Sequence, residues 1–257
     1  METSPNAGQT ISVNGIEMYF ETRGEGEPLV LLHGGGGVGA NWRLIFKETP
    51  AGFRLIVPDM RGHGRSTNPS GEFTFRQCAL DVFALLDHLG VERFKAVGMS
   101  LGAKTLLHMA TEQPARAEAL VLVSAAPYFP AKTRALMREF AAAGHTEAEW
   151  RLMREWHKHG DEQIRALWRL GETLGGDYTD MNFTPPLLST IRARTLIVHG
   201  DRDPLYPVRL ATEMYAAIPR SYLWVVPDGG HGPVFGPLAE SFVETALAFL
   251  RGEWEKV

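Results

Sequence analysis

Gly98-Met99-Ser100-Leu101-Gly102 places a serine between two glycines at the point where an apolar run gives way to a helical pattern. A serine on so sharp a strand-to-helix turn is exposed at the carboxyl edge of a sheet, where its hydroxyl can attack a carbonyl. The hydroxyl is a poor nucleophile until a base takes its proton. Nine histidines are available, so position must choose among them. His231 lies in Pro227-Asp228-Gly229-Gly230-His231-Gly232-Pro233, a glycine-rich loop after the last strand-like run, on the same expected edge as Ser100. A carboxylate must then fix the imidazole tautomer and support its charge. Gly200-Asp201-Arg202-Asp203-Pro204 offers two. Asp203 lies further into the loop and can turn back across the edge, whereas Asp201 is placed to brace the loop. Asp228 is too near His231 along the chain to face it.

Acyl transfer through a tetrahedral intermediate also needs two donors for the oxyanion. The N–H of Leu101 opens a helix and is unpaired there. The glycines of His33-Gly34-Gly35-Gly36-Gly37 let backbone approach closely, so the N–H of Gly35 supplies the second donor. His33 reads as a structural histidine bonded to nearby loops. Met99 is expected to shape the pocket beside the serine.

Short apolar runs alternating with longer helical patterns must position these residues. Asn14-Gly15 between Thr10–Val13 and Ile16–Thr22 is a strong hairpin signal. Leu29–Leu32, Arg54–Pro58, Phe94–Val97, Ala119–Val123, Thr195–Val198 and Tyr222–Val226 are continuous apolar runs, as in strands buried on both faces. Helical spacing falls between them at Phe75–Leu89, Leu101–Thr111, Val208–Ala217 and Phe242–Leu250. The alternation predicts a mostly parallel sheet with helices on both faces. From Tyr128 to Ser189 the strand signal disappears. That stretch is helical, charged and aromatic, and reads as an insertion (128–189) into a core formed by 1–127 and 190–257. Gly144 marks a helix end there and Pro185-Pro186 a stop. Trp150, Trp156 and Phe183 are the insertion's candidate substrate contacts. His157-Lys158-His159 reads as a solvated helix turn rather than a metal site, since residues i and i+2 of a helix diverge.

The 257 residues carry a formal charge of −4, with 44% hydrophobic and 22% charged residues. These values suit a globular chain with a sizeable core. They give no basic footprint for nucleic acid and no polybasic patch for a membrane. Cys78 is the only cysteine. An internal disulfide is therefore impossible, and its helical context makes it a small core residue. Residues Met1–Gln9 lack an apolar segment, and no run of about 18 apolar residues occurs. The expectation is a cytoplasmic protein acting on a small molecule, and the composition is compatible with a homo-oligomer.

Ser100, Asp203 and His231, in that chain order, resemble the α/β-hydrolase superfamily. His33-Gly34-Gly35 after the third strand and Asp59-x-Arg61-Gly62-His63-Gly64-x-Ser66 after the fourth are similar to its segments as well. The resemblance spans nearly the whole chain. It implies an eight-stranded, mostly parallel sheet with a helical cap, a serine hydrolase and no cofactor or metal. The leading expectation is a carboxylesterase for small to medium apolar esters. Lactone hydrolysis and carbon–carbon cleavage by the same triad stay open, as does a small-ligand receptor on the same fold. A rival reading takes Gly34-x-Gly36-x-x-Gly39, with Asp59 twenty residues on, as a dinucleotide fingerprint. It leaves the serine, aspartate and histidine as coincidence. A catalytically dead scaffold predicts a damaged triad, and this one is complete.

Overall fold

A computed structural model describes residues 8–256. The reading of Met1–Gln9 as free of a leader lies outside the described residues for positions 1–7. Eight strands form one sheet: β1 (Gln9–Val13), β2 (Ile16–Arg23), β3 (Glu27–Leu32), β4 (Phe53–Pro58), β5 (Phe94–Met99), β6 (Ala117–Val123), β7 (Arg194–Gly200) and β8 (Ser221–Val226). Their order is β1-β2-β4-β3-β5-β6-β7-β8. β1 and β2 are antiparallel, β2 meets β4 antiparallel, and the remaining pairs are parallel. The hairpin turns on Asn14 (φ 44°) and Gly15 (φ 78°), the two positive φ values that match the twist of paired strands.

Strands β3 to β7 are buried on both faces because helices cover both, whereas the apolar run at β8, the edge strand, is mostly half-buried. α1 (Phe75–His88), α2 (Leu101–Glu112) and α7 (Val208–Ala217) close one side. A 3-10 segment at Gly39–Leu44 and α8 (Ala239–Leu250) close the other, with Trp42, Phe46, Phe242 and Phe249 in the second core. No helix among the described residues is long and apolar enough to cross a membrane.

Between β6 and β7 come α3 (Ala131–Ala142), α4 (Glu147–Trp156), α5 (Asp161–Gly176) and the short α6 (Pro185–Leu188). α4 opens with a capping box in which Thr146 and Glu149 satisfy each other's amides. Gly171 lets α5 approach α3: a Cβ there would meet the Met137 carbonyl at 2.4 Å. These three helices form the roof. The end of the stretch does not belong with them. Phe183 and Leu188 join the main core, and Pro185-Pro186 begins α6 rather than stopping a helix, since proline loses nothing at the first helical position.

Two polar clusters tie the loops together. Arg61 grips buried Asp81 with Nε at 2.8 Å and Nη2 at 2.9 Å, while Asn14 and Gln77 donate to the same carboxylate. That joins the hairpin, the loop after β4 and α1. The second cluster is three buried imidazoles. His33 and His63 have ring centroids 5.0 Å apart, and His63 and His157 6.1 Å. His33 Nε2 accepts from the Met60 amide at 2.9 Å, the structural part expected of it. His157 Nδ1 accepts from the Gly64 amide at 2.9 Å, and its Nε2 donates to the Gly36 carbonyl at 3.1 Å. His157 thus overturns the reading of His157-Lys158-His159 as a solvated turn. It follows the end of α4, is 2% exposed, and pins the roof to the core loops.

Burial pushes all three histidines below the ordinary imidazole value, His157 to about 4. They fold neutral, while the unfolded chain takes up protons near pH 6.5. Between about pH 6.5 and 4 the unfolded state therefore binds more protons, and stability falls as pH falls through that window. Thermal melting across it will show a declining midpoint, with a shallower decline in His157→Gln. An unchanged slope in the variant would show that His157 does not carry the effect.

Candidate active site

β5 ends at Met99 and α2 begins at Leu101, so Ser100 alone makes the corner, at φ 47° and ψ −103°. Positive φ on a non-glycine residue is strained and persists only where the surroundings impose it. Here the Ser100 amide donates to Val123 at 2.8 Å, the Gly102 amide to His33 at 3.0 Å, and the Lys104 amide back to Ser100 at 3.0 Å. The flanking glycines are obligatory by space. A Cβ on Gly98 would meet the Ala103 nitrogen at 2.7 Å, and one on Gly102 the Leu32 carbonyl oxygen at 2.2 Å.

The loops after β7 and β8 are brought together by a similar close approach. A Cβ on Gly200 would lie 2.1 Å from the Gly229 carbonyl oxygen, and the Arg202 amide donates to that oxygen at 2.9 Å. Asp203 and His231 meet across this joint. His231 Nδ1 lies 2.8 Å from Asp203 Oδ2, and His231 Nε2 lies 2.8 Å from Ser100 Oγ. The other Asp203 oxygen accepts the amides of Leu205 and Tyr206 at 2.8 and 3.1 Å. Burial alone would raise this carboxyl. The hydrogen bond and charge of His231, with the two amides, outweigh it and hold the group below its usual range. Asp201 and Asp228 are both exposed.

The remaining sequence-derived residues fall in two places. Gly35 and Leu101 adjoin each other beside Ser100: a Cβ on Gly35 would sit 3.7 Å from Leu101 Cδ1. Both line a cavity of about 580 Å³ that opens onto Ser100 and His231, and Met99 and Trp156 line it as well. Met99 Cε reaches toward Gly232 and Gly34, filling the gap between their loops.

Trp150 and Phe183 lie elsewhere. Trp150 packs edge-on to Trp168 at 4.5 Å with Arg154 and Arg165 over its faces, so its ring is spent within the roof. Phe183 meets His108 at 4.8 Å, about two turns along α2 from Ser100, and is buried in the main core. Leu152, Met153 and Trp168 take part in lining the cavity instead.

Two groups beside the serine were absent from the sequence reading. Lys104 is buried one helical turn after Ser100, with Nζ 3.4 Å from Ser100 Oγ and 3.1 Å from the Tyr206 hydroxyl. Burial draws its ammonium down to about 7, against a pull from Asp203 in the other direction. Burial, then Asp203, pushes the Tyr206 phenol up. The signal for Lys104 was available: it is the one Lys or Arg between Leu101 and Gln113, four residues from the serine and so on its face. Of the dinucleotide fingerprint, Asp59 is buried and holds the amides of Gly39 and Arg65 at 2.8 and 2.9 Å. Both its oxygens brace buried loop backbone, where a ribose does not reach. Cys78 is buried and its thiol pushed well up by burial, so it is no rival nucleophile.

A family profile described as the alpha/beta hydrolase fold matches residues 27–149. The chain is 29% identical over 254 residues to 2-hydroxymuconate semialdehyde hydrolase of Pseudomonas sp. (strain CF600), covering 90% of this chain and 89% of that one. It is 27% identical over 260 residues to pimeloyl-[acyl-carrier protein] methyl ester esterase of Nitrosomonas europaea, covering 88% and 96%. Among solved structures, a thermophilic esterase from Thermogutta terrifontis superposes with a TM-score of 0.75 at 25% identity, covering 97% and 99%. The chain has the α/β-hydrolase fold.

The spacing at the corner is testable without substrate. Gly102→Ala must displace α2 from the Leu32 carbonyl, and a fall in unfolding free energy of about 1–3 kcal/mol is expected from denaturant titration. Gly35→Ala has room for its methyl group and is expected to melt close to the wild type. Equal stability of Gly102→Ala and wild type would contradict the close approach.

Proposed function

We propose that the protein is a carboxylesterase acting on small to medium, rather apolar esters through an acyl-enzyme on Ser100. One observation carries the reading. An unbroken Asp203–His231–Ser100 hydrogen-bond series, 2.8 Å at each step, ends in a cavity of about 580 Å³ with a mainly apolar wall. A cavity of that size suits a small organic substrate.

The chemistry follows from the atoms present. Ser100 Oγ attacks the ester carbonyl as His231 Nε2 takes its proton. Asp203, already accepting from Nδ1, steadies the imidazolium. The carbonyl oxygen becomes an anion between the N–H groups of Gly35 and Leu101, and the latter also stands at the positive end of α2. His231 then gives its proton to the leaving alcohol. In the second half it draws a proton from water, which attacks the acyl-enzyme, and returns that proton to Ser100 Oγ as the acid leaves.

The relatives support hydrolysis more broadly than ester hydrolysis, since one is named for a semialdehyde hydrolase and another for a methyl ester esterase. The first favours carbon–carbon cleavage of a diketone-like substrate as a second reading, with the same residues in the same roles.

The test is a chain-length series of p-nitrophenyl esters, from acetate upward, with wild type and Ser100→Ala in parallel. Turnover is expected from the wild type and a loss of at least about a thousandfold from the variant. A variant that keeps more than about a thousandth of the activity would remove Ser100 from the mechanism. Silence of the wild type on every ester, with turnover of a vinylogous diketone, would select the second reading.

A further inference from the structure

Lys104 is a cation without an anion. It is 2% exposed, and among the described residues no carboxylate lies within ion-pair distance of its Nζ. Its neighbours are two neutral hydroxyls and three rings: Phe75 at 5.5 Å, Phe129 at 5.6 Å and Tyr206 at 4.8 Å from Nζ. Buried lysines are ordinarily paired, because an ammonium taken from water loses several kcal/mol of hydration. A purely structural residue at this helix position needs only apolar bulk. The ammonium also lines the substrate cavity, so the empty place beside it is one a substrate can reach.

Two hydrogen bonds to Ser100 Oγ fix the direction. Oγ donates to His231 and accepts from Lys104, and the two bonds leave a tetrahedral oxygen along different lines. His231 must reach the leaving oxygen, so the leaving group lies on its side and Lys104 faces the rest of the substrate.

We propose that Lys104 determines specificity by binding a carboxylate or enolate oxygen on the acyl part of the substrate. This rests on the acyl-enzyme reading above and adds to its otherwise apolar acyl group a second, anionic oxygen. With a charge-assisted bond of about 2.8 Å and an attack distance of about 3 Å, that oxygen lies roughly two to four carbons from the scissile carbonyl. The aromatic walls then shield the new ion pair from water and strengthen it.

Proton linkage gives the proposal a signature that a structural lysine lacks. Without ligand the ammonium titrates near 7. The groups around it are Asp203 and Tyr206 from the loop after β7, His231 from the loop after β8, and Ser100 at the corner that opens its own helix. α1 contributes only the Phe75 ring. Behind Phe129 stands Arg134 of α3, bonded to the Phe129 carbonyl, and from α4 the exposed Glu149 reaches the cavity wall. Of these only Asp203 pulls the Lys104 ammonium toward its charged form, and it is engaged with His231. An arriving anion therefore raises the Lys104 pKa, and binding above about pH 7 takes up a proton. Affinity for the anion falls as pH rises through 7, because the free site loses its charge there.

The experiment compares methanol release from monomethyl glutarate, which carries the anion, with release from dimethyl glutarate, which does not. It uses wild type and Lys104→Met, a substitution that keeps length and suits aromatic walls. The readout is the ratio of kcat/KM for the two substrates, so any effect of Lys104 on Ser100 itself cancels. A ratio that is roughly ten- to a hundredfold higher in the wild type is expected. It should decline above pH 7 in the wild type and stay flat in Lys104→Met. Calorimetry of glutarate binding to the wild type at pH 7.5, in two buffers of different ionisation enthalpy, should show proton uptake. That measurement needs neither turnover nor a folded variant. Equal ratios in the two proteins, or glutarate binding without proton uptake, would overturn the proposal. If neither ester is turned over while glutarate binds with proton uptake, the esterase reading fails and the anion site stands.

Discussion

At Ser100 the chain leaves a strand and enters a helix within one residue, with a backbone conformation that costs of the order of 1–3 kcal/mol. The surroundings hold it there. α2 lies so close to β3 that only glycine fits at position 102, and the Ser100 amide is already bonded to β6. The rest of the site depends on this corner. It turns Oγ away from the sheet, leaves the Leu101 amide without a helical partner, and sets the distance that the His231 loop must cover. The glycine contact between positions 200 and 229 then brings Asp203 and His231 into register with the serine.

The electrostatics follow from how each group is buried. The Asp203 side chain is fully covered, with a histidine on one oxygen and two amides on the other, and so stays ionised. His231 is partly open to the cavity, where it must exchange a proton with alcohol and water. Lys104 is buried as deeply as Asp203 but without a carboxylate partner, which leaves its charge marginal. Three groups so differently buried and partnered within one small volume make the site responsive to what enters it. The histidines His33, His63 and His157 are different again. They are held neutral, and their work is to join the loops and the roof.

The central strands β3 to β7 were legible in the sequence because they are buried on both faces and read as uninterrupted apolar runs. The six runs fall on β3 to β8, and Asn14-Gly15 makes the hairpin of β1 and β2. The serine, histidine and aspartate were legible because each follows a strand and so falls on one edge. The roof was much less so. An amphipathic helix announces which face turns inward, but not whether that face meets a cavity or another helix. Trp156 and Trp150 stand six residues apart on α4, yet one lines the cavity and the other packs on Trp168. Phe183 was misplaced because the chain returns to the core before the helical composition ends. His157 could not be read because its partners, Gly36 and Gly64, are over ninety residues away.

The most direct measurement of the central claim is covalent labelling with a fluorophosphonate, followed by mass analysis of the peptide that carries the adduct. A serine activated by His231 and Asp203 reacts with this electrophile, whatever its natural substrate. One adduct per chain, on Ser100, is expected, with loss of labelling in His231→Ala. Absence of an adduct on wild type, or an adduct on another residue, would contradict the account.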